Sequence, residues 1–233
     1  YDLGVDIELA DAVRRLRFEH PEVRAVVVGS GKDRVFCAGA NIGMLASAAH
    51  GFKVNFCKFT NETRISIEDA SARSGIRFLA ALNGATAGGG YELALACDLR
   101  VASRDARLGL THLEKGLIPW DGGTQRLPRL IGRSRATEMI LTSRVVSAQE
   151  ALDIGLVNLA VEADEVVSRT MEVAASIAVH GPIATRYVKE AVLKGADLTL
   201  DQGMRLEADL SFLLQSTSDR AEGLTSFLER RSP

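Results

Sequence analysis

Two stretches of the chain place small residues where backbone amides can act on a substrate. One is Phe36-Cys37-Ala38-Gly39-Ala40-Asn41; the other is Gly88-Gly89-Gly90-Tyr91-Glu92. Each follows an apolar run and precedes a helical pattern. The first N–H groups of a helix have no partner within it. Two such groups converging from adjacent loops can hold a developing oxyanion, and small residues let a carbonyl approach the backbone closely. Either stretch taken alone is accounted for by tight turns and helix packing. The triplet is not a dinucleotide fingerprint: its spacing is GGG rather than GxGxxG, and Gly84 lies too far upstream to repair it. The cysteines Cys37, Cys57 and Cys97 are odd in number and lack CxxC spacing. No metal site is expected from them, and they fit a reducing, cytoplasmic compartment. Cys57 sits in an apolar helical run and reads as a buried structural thiol.

The elements that must position these stretches alternate along the first half. Val5, Leu9, Ala12, Val13 and Leu16 recur at helical spacing. His20-Pro21 ends that helix, and Ala25–Val28 reads as a buried strand. A loop over 32–41 follows, then helical patterns at 42–48 and 54–72. Phe78–Leu82 reads as a second strand, Tyr91–Cys97 as a helix and Leu99–Ala102 as a third strand. This is an α/β pattern with crossover connections. The remainder reads as helical at 124–131, 134–142, 148–154, 162–179, 199–214 and 219–230. Pro182 opens a further helix. Ser147 with Glu150, and Asp219 with Glu222, have N-cap and N3 spacing. The expected organisation is an α/β core over residues 1–140 and a helical region over 141–233 that reaches towards another subunit.

Composition agrees with a globular fold. The 233 residues are 46% hydrophobic and 25% charged, with 28 Lys and Arg against 30 Asp and Glu. A net charge of −2 argues against a general nucleic-acid partner. No apolar stretch approaches ~18 residues, so no membrane span is expected, and no signal peptide is visible. The chain opens on Tyr1 rather than Met, so further sequence is expected upstream.

Together the motifs resemble the crotonase, or enoyl-CoA hydratase/isomerase, superfamily. The matching stretches are Val35–Asn41, Asn83–Ala94, Ala96-Cys97-Asp98, Gly116-Leu117-Ile118-Pro119, Gly122–Arg129, Ala151–Val157, Glu222-Gly223 and Phe227–Arg231, in order and with agreeing spacing. The family's N-terminal strand hairpin is missing. The resemblance implies a spiral of strand–strand–helix turns with a C-terminal helical trimerisation region, assembled as a homotrimer or a dimer of trimers. It implies an acyl-CoA substrate and no metal or redox cofactor, coenzyme A being part of the substrate. The thioester oxygen would lie between the N–H groups of Ala40 and Gly89, with Ala38, Gly88, Tyr91 and Trp120 lining the substrate.

Hydratases of this family use two glutamates on a water molecule. The first maps onto Glu92. At the second position the ungapped count gives His112, whereas a two-residue loop shift would bring in Glu114. His112 resembles the water-activating histidine of the 6-oxocamphor hydrolase branch, with Asp121 as a substitute partner; Asp121 reads equally as a cap for the helix that follows it. The segments 1–12, 53–64 and 90–98 resemble the benzoyl-CoA-dihydrodiol lyase branch. Three readings follow: a hydratase or lyase on an unsaturated or cyclic acyl-CoA, a retro-Claisen hydrolase using His112, and a non-catalytic or RNA-binding homologue. Ala40, Gly89 and Glu92 favour the first. Lys32, Arg34, Arg230 and Arg231 are candidate cations for the coenzyme A phosphates.

Overall fold

The computed structural model describes residues 1–230. Its elements, in chain order, begin with α1 (Leu3–Phe18), β1 (Ala25–Val28), β2 (Val35–Cys37), α2 (Ile42–Ser47) and α3 (His50–Arg73). A second turn holds β3 (Arg77–Leu82), β4 (Ala85–Ala87) and α4 (Gly89–Ala96). A third holds β5 (Leu99–Ser103), β6 (Arg107–Gly109), α5 (Gly123–Ile131) and α6 (Arg133–Leu141). Then come β7 (Val146–Ser147), α7 (Ala148–Asp153), β8 (Leu159–Val161), α8 (Val166–Ala178), α9 (Pro182–Gly195), α10 (Leu200–Leu214) and α11 (Ser218–Glu229).

Each turn gives one strand to each of two sheets. The first sheet has the order β1-β3-β5-β8 and is parallel throughout; the second has the order β2-β4-β6-β7, with β7 antiparallel. Strand β3 is buried at all six positions, as a strand covered on both faces must be. Both sheets take in strands beyond residue 140, so the sheet core expected over 1–140 runs on to Val161.

The second sheet creates the site. Its strands β2, β4 and β6 are parallel neighbours, so their C-terminal ends lie side by side. Those ends run directly into Gly39-Ala40, Gly88-Gly89 and Thr111-His112. Two glycines permit the approach. Gly39 sits at φ +90°, where an added Cβ would meet the Ala87 carbonyl at 3.1 Å and the Gly89 nitrogen at 3.4 Å. A Cβ on Gly90 would overlap Cys37, so α4 packs on β2 through a bare backbone.

The strands β2, β4, β6, β7 and β8 fall where the sequence reading expected loop or helix. Each has two or three residues, too few for alternation to register. The helix expected over 162–179 is shorter: a 3-10 turn at Ala163–Glu165 precedes α8. Ser147 accepts from the Glu150 N–H at 3.2 Å, but the Glu150 carboxylate turns to Arg144 at 2.7 Å, leaving half a capping box. Asp219 is not the cap of its own helix. Thr217 caps α11, while the Asp219 carboxylate accepts from the Ile183 and Ala184 N–H groups at 2.6 and 3.0 Å. It thereby caps α9 across space. Asp219→Ala should cost about 1 kcal/mol, read as a lower denaturant midpoint; an unchanged midpoint would show that the cross-helix cap adds nothing.

Candidate functional site

The site builds outward from Glu92 on the first turn of α4. Its side chain is fully buried. Glu92 Oε1 accepts from the Asp121 N–H at 2.9 Å and the Gly123 N–H at 2.8 Å. It thus caps α5, whose N-cap is a glycine without a side chain to do so. A carboxylate at a helix N-terminus is favourable with the helix dipole. The other oxygen, Oε2, makes no hydrogen bond and lies 3.3 Å from His112 Nε2. His112 is 5% exposed and meets the Trp120 indole edge-on, ring centres 5.4 Å apart.

Two cavities meet at the paired loops. The outer one is lined by Ala38, Ala40, Gly88, Gly89, His112 and Lys115 among others. The inner one is lined by Tyr1, Phe56, Thr60, Thr63, Arg64, Leu93 and Asp121, and shares Ala40, Gly89 and Trp120 with the outer cavity. Among the described residues the Ala40 and Gly89 N–H groups donate to nothing. Among the described residues seven buried side-chain polar atoms lack a hydrogen bond, and four of them belong to these walls or to the Glu92–His112 pair: Arg64 Nε, Glu92 Oε2, His112 Nδ1 and Trp120 Nε1. Folded proteins satisfy almost all such atoms, so their concentration here singles this region out as the candidate site.

Asp121 carries a displaced carboxyl in the wall of the inner cavity. Its carboxyl is pushed up to about 7, chiefly by burial and then by the nearby Glu92 charge, with Thr60 and Arg64 pulling the other way. Thr60 donates to Asp121 Oδ1 at 3.3 Å.

Residues 3–233 match the enoyl-CoA hydratase/isomerase family. The chain belongs to that family of enzymes. It is 45% identical to the benzoyl-CoA-dihydrodiol lyase of Aromatoleum evansii over all of this chain, but spans only 42% of that protein's length. It is 35% identical to the crotonyl-CoA hydratase of Syntrophomonas wolfei, covering 97% of this chain and 85% of that one. The crystal structure of an enoyl-CoA hydratase from Bacillus anthracis superposes with a TM-score of 0.91 at 38% identity, covering 99% of this chain and 88% of that one. The crotonase-like fold and the lyase-branch resemblance expected from the sequence are both borne out.

Within this family fold, the expected residues divide. Ala38, Ala40, Gly88, Gly89, His112, Trp120 and Asp121 line the cavities, and Glu92 lies beside His112. Glu114 does not join them. It sits on a 3-10 turn (Leu113–Lys115) with a side chain 58% exposed, facing Lys115. Tyr91 lies in the core cluster and lines neither cavity, because the helix turns it away from Glu92's neighbours. Asp121 is neither the cap of α5, a task Glu92 performs, nor the partner of His112, whose Nδ1 bonds to nothing. Lys32, Arg34 and Arg230 line neither cavity, and Arg231 lies outside the described residues. Cys57 is half-buried rather than buried. The sequence reading missed Thr60, Thr63, Arg64 and Lys115. Thr60, Thr63 and Arg64 lie at i, i+3 and i+4 on α3, a spacing that puts them on one face.

Asp121 makes stability depend on pH. Between its ordinary 3.8 and about 7, the folded protein holds a proton that the unfolded chain has lost. Stability from this group therefore falls as pH rises across that interval. The Tm of Asp121→Asn should match wild type near pH 4 and exceed it by a margin that grows up to pH 8. A margin that stays constant with pH would mean that Asp121 ionises as an ordinary carboxylate.

Proposed function

We propose that the chain adds water to an unsaturated or cyclic acyl-CoA by way of a thioester enolate. The observation that carries this reading is the buried Glu92–His112 pair, set beside two unengaged N–H groups. The coenzyme A limb enters through the outer cavity past Lys115, and the acyl group reaches into the inner one. The thioester oxygen sits between the Ala40 and Gly89 N–H groups. Water stands against Glu92 Oε2, which takes its proton. Hydroxide adds to the β-carbon, charge builds on the thioester oxygen, and the α-carbon then accepts the proton. Removing one oxyanion donor typically costs about 2.7–4 kcal/mol of transition-state stabilisation. His112 positions the water and shares its proton. No metal or redox cofactor is required. The likeness to a benzoyl-CoA-dihydrodiol lyase supports a variant in which water addition is followed by carbon–carbon cleavage. The retro-Claisen alternative, using His112 with or without Asp121, loses the support of Asp121, since His112 Nδ1 makes no hydrogen bond.

Assembly as a homotrimer or dimer of trimers is part of this reading. Of the leucines on α10, Leu210 is buried and Leu213 exposed; strongly exposed apolar residues of α10 and α11 include Leu200, Met204, Phe212, Phe227 and Leu228. So much apolar surface on α10 and α11 fits burial against a neighbouring subunit. Three free cysteines are consistent with a cytoplasmic setting. No helix among the described residues is long and apolar enough to cross a membrane. Sedimentation at micromolar concentration should give a trimer or hexamer, and a monodisperse monomer would reject the assembly.

The catalytic assignment is tested with two near-isosteric variants. In Glu92→Gln the amide oxygen can keep both α5 bonds while the base is lost. Its kcat on crotonyl-CoA should fall by about 10²- to 10⁴-fold, with the fold intact. His112→Gln should be the milder lesion. If Glu92→Gln keeps most activity and His112→Gln loses it, the water-addition reading fails and the hydrolase is favoured.

A further inference from the structure

A further cleft, of about 520 Å³, brings Arg64 and Glu68 of α3 against Arg126 and Arg129 of α5. That volume is within the range of small-molecule sites. Arg64 and Trp120 also line the inner cavity, so the cleft and the cavity share a wall. None of Ala40, Gly89, Glu92 and His112 lines the cleft.

The charges here do not balance. Among the described residues Glu68 is the one carboxylate on the walls, against the three guanidinium groups of Arg64, Arg126 and Arg129. Both of its oxygens are engaged: Oε2 accepts from Arg64 Nη1 at 2.9 Å, and Oε1 pairs with Arg126. Arg64 and Arg126 are mostly buried, their side chains 19% and 20% exposed. Two such cations sharing one anion cost free energy unless a further negative group is supplied. Arg126 shows the crowding, since burial and the Arg64 charge bring its guanidinium down to about 10. Arg129 reaches Asp197 at 3.3 Å in an exposed pair, which water and salt weaken. Three cations less one anion leave the walls an excess of two positive charges, and a monoanion would remove only half of it.

These groups are held before any ligand arrives. Arg64 Nη2 donates to Asn61 at 3.0 Å, Arg126 Nη1 to the Asp121 carbonyl at 3.2 Å, and Arg129 Nη1 to the Gln125 carbonyl at 3.0 Å. Preorganised guanidinium forks lose less freedom on binding, and their geometry matches the oxygens of a phosphate group.

We propose that this cleft binds a dianionic phosphate, free or carried as a monoester on a small organic molecule, with Arg64, Arg126 and Arg129 as its ligands. The proposal does not rest on the acyl-CoA reading, because the groups assigned to the thioester and to water lie outside the cleft.

The whole chain is titrated calorimetrically with inorganic phosphate, glycerol 3-phosphate and acetate at constant ionic strength, at about pH 8, where phosphate is dianionic. Wild type should bind one phosphate per chain with a Kd of about 1 mM or below, and acetate more weakly. Tighter binding of glycerol 3-phosphate than of inorganic phosphate assigns the cleft to a monoester; an equal or reversed order assigns it to free phosphate. Arg126→Gln should weaken phosphate binding about 10- to 100-fold, the range expected for a hydrogen bond to a charged group. Arg129 is exposed, so Arg129→Gln tests the cleft without touching the buried pair, and a several-fold loss is expected. Arg135→Gln removes the same charge from an exposed position on α6 outside the cleft and should change nothing. One equivalent of butyryl-CoA should leave phosphate affinity unaltered. Absence of saturable phosphate binding, acetate binding as tightly as phosphate, or wild-type affinity in both Arg126→Gln and Arg129→Gln would each overturn the proposal. So would a loss in Arg135→Gln equal to that in Arg129→Gln, or displacement of phosphate by butyryl-CoA.

Discussion

A single buried carboxylate oxygen holds the site together. Glu92 Oε1 accepts from the Asp121 and Gly123 N–H groups, tying the first turn of α4 to the first turn of α5. A helix that begins on Gly122 at φ +98° has no side chain with which to cap itself. Its first amide instead reaches across 31 positions of sequence to a buried carboxylate. Charge-assisted bonds of this kind are about twice as strong as neutral ones. The same contact orients Glu92 so that Oε2 is left facing His112. It also sets Asp121 beside the shared loops: a Cβ on Gly89 would come within 4.0 Å of the Asp121 carboxyl. Space at Gly123 follows from it too, since a Cβ there would press on Glu92 Oε1 at 2.9 Å.

That arrangement puts two carboxyl groups in one poorly hydrated place. Glu92 receives two backbone N–H bonds; Asp121 receives one hydroxyl. Desolvation and the neighbouring charge then fall on Asp121, which rises to about 7. Arg64 lies close enough to moderate the effect. The inner cavity is thus neither simply apolar nor simply acidic: Arg64 Nε and Trp120 Nε1 stand on its walls without a hydrogen bond.

The paired loops are a consequence of parallel pairing. Because β2, β4 and β6 run the same way, the three segments that leave them emerge on one edge. The backbone can come together there only because Gly39 and Gly90 lack side chains that would collide with Ala87 and Cys37. The geometry of the candidate site is therefore carried by main chain on a sheet edge, with the side chains Glu92 and His112 added from the first turn of α4 and from the loop after β6.

The amino-acid sequence by itself determined the long elements, the glycine-bearing loops and the family. Long helices and the buried strands β1, β3 and β5 repeat their pattern often enough to be read locally. Ala40, Gly89 and Glu92 stand in motifs whose order and spacing are linear properties of the chain. His112 against Glu114 was a different matter, because a loop count leaves a register open; the left-handed turn at Gly116 and the packing of His112 on Trp120 decided it. Thr63, Arg64 and the role of Asp121 were decided by tertiary structure alone. They lie on α3 and after the 3-10 turn, about 60 residues apart along the chain, and what each does depends on the neighbours that folding supplies. The same reason hid the caps made by Glu92 and Asp219: a cap read from sequence is assumed to serve the next helix, whereas these serve helices that only the fold brings near.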